Sequence, residues 1–457
     1  MIMKLLLLLL TVSCFCGETG AFSVSPHPRT SATTKLFSST QQETSYRLDI
    51  DKGATRHPDG FLEWAEYYGI TPENFALDSQ SNNWRGVATQ DAPAGSRALL
   101  VPGALRLTSQ NAQQEDFAHL DPMQVLEEWI PGTHSDGDAQ IPLACHFYLF
   151  LKILQEYDQG AESPYLAWMN ALPRKFSTAL TFSELEMDCL PPFVKILANK
   201  DRQNYQLFTQ ALQQLDVPSI SDETKYNSDA TQWAFQVVFT RARAAFGHAE
   251  IIPMSDMLNH NAQPNVAVQY DDEGNVHMVL QQDVVAGQEL YKCYGQPTNP
   301  SRYFATFGFF DASPPATYCK LCPDMEPTPE LVNLGFDYNR LVFGVEQGEV
   351  APEVWDVVLY LLLETIDPSA QQQFYQAHLQ GDDDTKNAIH QHFMGQSIAA
   401  LLQHIDSTLD ELAECQETMD EQGGMGLLHE NLPMIRRHND FVRQTFLKVQ
   451  KNLQGMM

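Results

Sequence analysis

The sequence of 457 residues is poor in basic side chains, with 28 lysines and arginines against 58 aspartates and glutamates. The formal net charge is −30 at pH 7. A chain this acidic repels phosphate backbones, so we expect no nucleic-acid partner, whereas a basic segment of another protein is electrostatically acceptable. No internal repeat or long low-complexity tract follows residue 45. The length allows two or three domains around a large core.

Cysteine is also scarce, with eight residues in the chain, of which Cys14 and Cys16 lie near the N-terminus. The other six are scattered, unlike the dense disulfide framework of a small secreted domain. Cys319 and Cys322 form one Cys-x-x-Cys pair without a second such pair or a nearby pair of histidines. This is half of a zinc site, so we predict no bound metal and thiols that stay reduced.

The N-terminus has the composition of a targeting leader. A leucine run from Leu5 to Leu10 behind Lys4 is too short to span a bilayer and is typical of a signal peptide. Residues 22–44 are rich in Ser and Thr and almost free of acids, as in transit peptides. The two parts meet at Ala21–Phe22 and resemble the double leader of proteins in secondary plastids. We predict that residues 1–44 direct the protein to a plastid (secretion is the alternative) and that the mature chain has no membrane anchor.

Hydrophobic periodicity predicts an α+β fold. A helix is expected over residues 60–69, and strands with turns are expected over residues 83–107 and 266–294. A mostly helical segment, about residues 122–245, separates the two strand regions. We therefore expect a strand-containing domain over residues 45–312 that is interrupted by a helical insertion.

A helical domain is predicted over residues 325–457, after Pro-rich breaks. Its helices are expected at residues 353–364, 387–405, 409–421 and 433–453. The acidic residues 382–384 are predicted as a solvated loop. Arg436, Arg437 and His438 are predicted as a small basic cluster on the surface of a helix.

One segment concentrates the polar motifs. Asn259-His260 follows an apolar run, Pro264-Asn265 follows shortly after, and Gly287-Gln288-Glu289-Leu290 and Tyr294-Gly295 come later. An isolated Asn-His pair predicts only a hydrogen-bonded turn. The ordered set resembles the C-terminal half of a SET domain. With the helical insertion and the helical C-terminal domain, residues 60–450 resemble the Rubisco large-subunit lysine methyltransferase group.

The resemblance implies a protein-lysine N-methyltransferase that uses S-adenosylmethionine, without a metal, on a non-histone plastid protein carrying a target lysine. Known substrates of the group include the Rubisco large subunit and fructose-bisphosphate aldolase. Tyr294 matches the family's active-site tyrosine. Arg241 matches an arginine that reaches the cofactor carboxylate, and a planar guanidinium suits that task. Phe307 matches an aromatic residue that lines the channel of the target side chain.

The resemblance also implies cofactor contacts for Asn259 and His260, with Asp256 on the same segment. Trp84 and Arg85 stand where the family opens the cofactor site with Gly-x-Gly, and Trp84 replaces the first glycine. A bulky side chain at that position stacks on the ligand or obstructs it.

Two alternatives stay open. Relatives of this architecture use imidazole as the nucleophile, which would make the protein a protein-histidine N-methyltransferase. A catalytically silent protein-binding module of the same fold is the second alternative. Trp84 favours the silent module, and the intact Asn259-His260 with Tyr294 argues against it. Ala262 stands where histone-type SET domains have a zinc-binding cysteine, which agrees with the prediction of no metal.

A fluorescent protein fused behind residues 1–44 tests the leader. We expect the fusion to enter the plastid, because a signal peptide is followed by a transit-type segment. Microscopy of cells with a secondary plastid gives the measurement, and residues 1–21 alone serve as the control. Secretion of the longer fusion would contradict the prediction.

Overall fold

In a computed structural model of the chain, the structure describes residues 48–457 except 52, 55, 57, 81–82, 123–125, 127–141, 296–299, 315, 322–326, 338–339 and 422–428. All described residues lie within the unit Thr44–Met457. The predicted leader and Cys322 lie outside the described residues, and the predictions that concern them stay predictions.

The N-terminal part begins with helix α1 (Pro58–Tyr67), whose first residue is a proline and therefore loses no helical hydrogen bond. Gly69 follows it with a φ of 80°, which favours glycine and turns the chain away from the helix. The strands that come next are β1 (Thr71–Pro72), β2 (Ala76–Gln80), β3 (Asn83–Val87), β4 (Arg97–Val101) and β5 (Leu107–Thr108). The predicted helix and the first predicted strand region are confirmed.

Helices fill the insertion between β5 and the next strand: α2 (Ser109–Asn111), α3 (Leu143–Gln159), α4 (Leu166–Ala171), α5 (Glu184–Asp188), α6 (Pro192–Gln214), α7 (Asp222–Lys225) and α8 (Ser228–Arg241). Helix α3 is buried on most of its surface, as its apolar sequence predicts. Helix α8 is capped by Asn227, whose side chain accepts hydrogen bonds from the N–H groups of Asp229 and Ala230. These helices carry the chain back to the sheet that it left.

The second strand region contains β6 (Arg243–Ala245), β7 (His248–Ile251), β8 (Asn259–His260), β9 (Val266–Tyr270), β10 (Val276–Leu280) and β11 (Tyr291–Lys292). Four strands form an antiparallel sheet in the order β1-β4-β10-β9, with Met278 of β10 opposite Leu99 of β4. Smaller sheets have the orders β5-β7-β6 and β2-β3, and β8 pairs with β11 in parallel. Strands from before and after the insertion therefore build one domain.

The C-terminal region contains α9 (Pro300–Phe307), β12 (Ala316–Tyr318), α10 (Pro329–Asn333), β13 (Val342–Gly344), α11 (Pro352–Ile366), α12 (Pro368–Gln380), α13 (Asp383–Glu421) and α14 (Leu432–Gln454). The predicted fold class is confirmed, and the short antiparallel pair of β12 and β13 is an addition to it. Within the described ranges, no helix is both long enough and apolar enough to cross a membrane.

Two predicted helices of the C-terminal domain are one helix in the structure. Helix α13 continues through residues 406–408 because the sequence there has no glycine or proline to end it. The acidic residues predicted as a loop lie at its start. Asp383 and Asp384 belong to its first turn, and Asp382 accepts a hydrogen bond from the N–H of Thr385 at 3.1 Å. Acids are favourable at the N-terminus of a helix.

The prediction that His438 lies on the surface is wrong. Its side chain is fully buried, 2.9 Å from the hydroxyl of Ser301, and its ring stacks on Phe304 with ring centres 4.8 Å apart. Burial lowers the pKa of His438 to about 3, so the ring is neutral. His438 lies on the face of α14 that packs on α9, whereas its neighbour Arg437 is exposed.

A separate apolar cluster joins the C-terminal helices to the first domain. Met419 of α13 and Ile435 of α14 pack there with Phe182 of the insertion and Phe304 of α9, and all four side chains are buried. Buried apolar surface contributes about 25 cal/mol per Å², so a cluster of this kind holds the helical domain firmly on the domain that carries the polar motifs.

The predicted Pro264-Asn265 turn has a definite structural task. The side chain of Asn265 donates to the carbonyl of Glu289 at 2.9 Å and accepts from the N–H of Tyr291 at 2.7 Å. Asn265 is only 2% exposed, so both of its backbone partners depend on it rather than on water. The amide thereby fixes the start of strand β11.

Replacing this amide by an apolar side chain of similar shape tests that task. We expect Asn265→Leu to lower the free energy of unfolding by about 2–4 kcal/mol, because two buried backbone groups lose their partner. Urea unfolding gives the measurement. Asn452 is the control, since its side chain also donates to two backbone carbonyls but is exposed. An equal loss in Asn265→Leu and Asn452→Leu would contradict the prediction.

Candidate active site

The parallel pairing of β8 with β11 brings two distant motifs together. Asn259 lies opposite Tyr291, and His260 lies opposite Lys292. The N–H of Asn261 continues the pairing with a hydrogen bond of 3.0 Å to the carbonyl of Lys292. The Asn-His motif therefore lies directly beside the strand that leads to Tyr294.

Tyr294 is held at both ends. Its hydroxyl donates to the carbonyl of Leu258 at 2.8 Å, and its backbone N–H donates to Nδ1 of His260 at 3.1 Å. Burial raises the pKa of Tyr294 to about 12, a shift that nearby Arg241 opposes and Asp256 supports. The hydroxyl therefore keeps its proton at physiological pH and is available as a hydrogen-bond donor rather than as a base.

His260 supports Tyr294 as a neutral ring. Because Nδ1 accepts the N–H of Tyr294, the ring proton is on Nε2, which lies 3.6 Å from a carboxylate oxygen of Asp311. Burial lowers the pKa of His260, and Asp311 partly opposes that shift. The ring also packs on Tyr303, with centres 4.4 Å apart. Neutrality of His260 preserves the hydrogen bond that positions Tyr294.

Aromatic side chains surround the other face of Tyr294. The ring of Phe307 lies 5.1 Å from that of Tyr294, and Phe309 meets the same ring edge-on at 6.1 Å. Gly308 separates the two phenylalanines with a φ of 73°, and a Cβ there would lie 2.4 Å from the backbone oxygen of Ser177. Only glycine fits this approach. Phe307, predicted to line the acceptor channel, therefore contacts the predicted active-site tyrosine.

A small cavity of about 50 Å³ lies beside Asn259 and Tyr294. It is lined by Arg56, Trp84, Pro173, Arg241, Asp256, Met257, Asn259 and Tyr294. Five of the residues predicted for the site, from four separate parts of the sequence, therefore meet around one cavity. His260 contacts Tyr294 behind it, and neither Arg85 nor Phe307 is among the lining residues.

Comparison with known proteins agrees with this arrangement. The family model of the SET domain matches residues 84–295. This chain contains a SET domain. Its fold also matches solved structures described as the SET domain of LSMT bound to lysine and AdoHcy, with a TM-score of 0.60 at 13% identity, covering 87% of this chain and 90% of that one. A structure of Rubisco LSMT bound to AdoMet gives a TM-score of 0.59 at 14% identity, covering 88% and 92%.

Curated relatives of this chain are named after a different acceptor, histidine. An actin-histidine N-methyltransferase from Gallus gallus is 24% identical over 265 residues, and that from Mus musculus is 25% identical over the same length. The match covers 55% of this chain and 42% of each relative, so the chain spans less than half the length of these proteins.

A buried ion pair forms the floor of the cavity in the SET domain. Arg241 donates to the backbone carbonyl of Asp256 at 2.6 Å and lies 3.3 Å from its carboxylate, which also accepts from the indole of Trp168 at 3.1 Å. Among the described residues, Nε of Arg241, Oδ1 of Asp256 and Nε1 of Trp84 are buried without a hydrogen-bond partner. Unpaired buried polar atoms are costly, and three around one cavity fit a polar ligand.

Arg56 is a lining residue that the motifs did not predict. Its Nε donates to the carbonyl of Ala171 at 2.7 Å. Burial, helped by the nearby charges of Arg241 and Arg174, lowers the pKa of Arg56 to about 9, and Asp256 opposes this shift. Arg56 lies before α1 and outside every motif, so a lone arginine in a loop gave no signal that could have identified it.

Arg85, predicted to contact the cofactor, has other partners in the structure. Its guanidinium lies 2.8 Å from the carboxylate of Asp78 and 3.3 Å from that of Glu289. The other oxygen of Glu289 accepts the side-chain amide of Asn259 at 2.8 Å. Arg85 therefore does not line the cavity itself. It pairs with Glu289, whose carboxylate in turn orients the cavity residue Asn259.

The donor set fits the amino-acid end of S-adenosylmethionine. Two guanidinium groups suit a carboxylate, and the free oxygen of Asp256 suits an ammonium group. Pockets for whole ligands of this size usually hold about 300–1,000 Å³, so the nucleoside needs Trp84 or a neighbour to move. No group of three or more metal-binding side chains occurs within the ranges that the structure describes.

Arg56 provides a direct test of this fit. We expect Arg56→Met to weaken binding of S-adenosylmethionine about tenfold or more, because a charge-assisted hydrogen bond is lost in a buried site. Isothermal titration calorimetry gives the measurement. Arg97→Met is the control, since Arg97 pairs with Glu73 in another part of the domain. Unchanged affinity in Arg56→Met would show that this arginine does not hold the ligand.

Proposed function

We propose that the protein transfers a methyl group from S-adenosylmethionine to a nitrogen atom of a protein side chain. The observation that carries this proposal is the position of Tyr294. It lines the polar cavity with Arg241, Asp256 and Asn259, and its ring also contacts the aromatic cluster around Phe307. Tyr294 thus lies where a cofactor site and an acceptor channel would meet.

The cavity residues divide the work of binding. Arg241 and Arg56 would hold the carboxylate of S-adenosylmethionine, and Asp256 would hold its ammonium group. The bound sulfonium supplies a methyl carbon that is open to displacement by a nucleophile. Glu289 fixes the side chain of Asn259 at the same wall. A ligand fixed in this way loses little further freedom on reaction.

Tyr294 and its neighbours would orient the acceptor. The hydroxyl of Tyr294 and the carbonyl of Leu258, which lie 2.8 Å apart, provide polar contacts for an incoming nitrogen. Phe307 and Phe309 would keep water away from it. Because Tyr294 stays protonated, it does not take the acceptor's proton, and the acceptor must arrive with a free electron pair.

The proposal also concerns the type of residue that accepts the methyl group. A protein lysine is the first candidate, by the resemblance to the Rubisco methyltransferase group. A protein histidine is the second candidate, favoured by the curated relatives named as actin-histidine N-methyltransferases. In either case the helical domain, held on the SET domain by its own apolar cluster, is suited to hold the protein substrate. We further propose a plastid protein as the substrate, on the composition of residues 1–44.

Transfer of labelled methyl groups tests the function. Residues 45–457 are incubated with labelled S-adenosylmethionine and a plastid stromal extract. We expect a labelled protein band that falls about 100-fold or more with Tyr294→Phe, because a positioned hydroxyl is lost beside the reacting atoms. Tyr226→Phe is the control, since Tyr226 is exposed.

The outcomes separate the hypotheses. A labelled band identifies the substrate, and mapping of the labelled residue decides between lysine and histidine. Equal labelling by the wild type and Tyr294→Phe would contradict the role of Tyr294. Absence of any S-adenosylmethionine binding at millimolar concentration would favour the silent binding module.

A further inference from the structure

Lys292 lies at the proposed reaction centre but has no part in the proposed transfer to another protein. It comes two residues before Tyr294, and side chains two apart on an extended strand lie on the same side. The structure agrees, since Nζ of Lys292 lies 5.4 Å from the ring centre of Tyr294. Opposite Lys292 in the parallel pair is His260, which holds the backbone of Tyr294.

No carboxylate holds this amine. Its Nζ forms no ion pair or hydrogen bond within the described part of the chain, although four charged groups from neighbouring elements face it: Asp256, Arg241, Arg243 and Glu250. Oδ2 of Asp256 is engaged by Arg241 and Trp168, and Oδ1 of Asp256 has no hydrogen-bond partner among the described residues. Glu250 is engaged by Arg106 and by the hydroxyl of Tyr270. The ammonium group of Lys292 is therefore not fixed by either acid.

Two of the four charged groups place the amine near the cofactor cavity. Asp256 and Arg241 both line that cavity together with Tyr294. The amine is carried on a flexible four-carbon stem, so it can move towards the cavity without a change in the backbone. Lys292 thus provides a nitrogen, within the chain itself, beside the tyrosine that would orient an acceptor.

The chemistry of the amine agrees with its position. Burial lowers the pKa of Lys292 to about 8, while Asp256 opposes the shift. An exposed lysine has a pKa of about 10.4 and is almost entirely charged at neutral pH. Lys292 instead has a substantial neutral fraction, and only the neutral amine is a nucleophile.

We propose that Lys292 is a methylation site of the protein itself and receives a methyl group within the same molecule. This inference rests on the proposed function. The electron pair of Nζ forms a bond to the methyl carbon, and the bond from that carbon to sulfur breaks. The electron pair of the broken bond stays on sulfur, which becomes a neutral thioether. The product is a methylated ammonium group, to which the positive charge passes from sulfur, and it becomes neutral only when it loses a proton to water.

Mass spectrometry of the protein tests the proposal. The full 457-residue chain is incubated with methyl-labelled S-adenosylmethionine in the absence of any other protein, digested and mapped. We expect label on Lys292, with a rate that rises about tenfold from pH 7 to pH 9, because the neutral fraction grows through a pKa of about 8. The labelled fraction at a given time is independent of protein concentration if the reaction is intramolecular.

Lys320 is a matched control within the same sample. Burial lowers its pKa to about 8 as well, and its Nζ is buried without a partner. It lies near Glu411 and Cys415 of α13 rather than beside Tyr294. Label on Lys292 and not on Lys320 would show that the position of the amine, and not its lowered pKa, determines which lysine is methylated. Tyr294→Phe is expected to reduce the label, and Lys292→Arg is expected to remove it while keeping the positive charge.

Separate measurements distinguish failure of this inference from failure of the proposed function. Label on a stromal protein without label on Lys292 would overturn the inference and leave the function intact. Equal label on Lys292 and Lys320 would overturn it too, since that outcome indicates unguided chemistry. If calorimetry detects no binding of S-adenosylmethionine, both proposals fall together. Because the wild-type chain gives the decisive result, the test does not depend on the stability of a variant.

Discussion

The site depends on one pair of short strands that run in parallel. Strand β8 has two residues and so has β11, yet their pairing joins the Asn-His motif to the strand that ends at Tyr294. Such a small ladder has few hydrogen bonds of its own and needs support from side chains. Asn265 supplies that support on one side and His260 on the other, through bonds to the backbone of β11 and of Tyr294. Positioning of the tyrosine is therefore a property of the backbone as much as of its own side chain.

Charge in the site is arranged around the acids Asp256, which is buried, and Glu289, which is partly buried. Asp256 pairs with Arg241 and accepts a hydrogen bond from Trp168. Glu289 pairs with Arg85 and accepts a hydrogen bond from Asn259. Buried carboxylates are stable only when they are paired in this way. Cationic groups outnumber the acids around the cavity, where Arg56 and Arg241 face the single carboxylate of Asp256. In a chain with a net charge of −30, this local excess of positive charge is the physical basis for the anionic ligand group that we propose here.

Much of the fold and part of the site could be predicted from the sequence. Alternating apolar residues indicated the strands around the insertion. The family resemblance, carried by the ordered motifs, implied that Tyr294, Asn259, Asp256 and Arg241 share one site. Periodicity could not show that α13 is one helix, because it does not reveal how far a helix continues without a breaker. His438 was misplaced because a histidine beside two arginines has the same composition as a surface cluster. Arg56 lines the cavity only because of tertiary packing. No motif in the neighbouring sequence predicts this position.

The close approach of Gly308 to Ser177 restricts which sequence changes in the insertion can alter the SET domain. The contact is between backbone atoms, so no choice of side chain at residue 177 can loosen or tighten it. The spacing between Phe307, Phe309 and Tyr294 is instead tied to the path of the insertion loop. Insertions or deletions near residues 173–178 would thus change the distances of Phe307 and Phe309 from Tyr294. Point substitutions there would leave these distances nearly unaltered. Loop length, rather than residue identity, would therefore set the space beside Tyr294 that we propose for the acceptor.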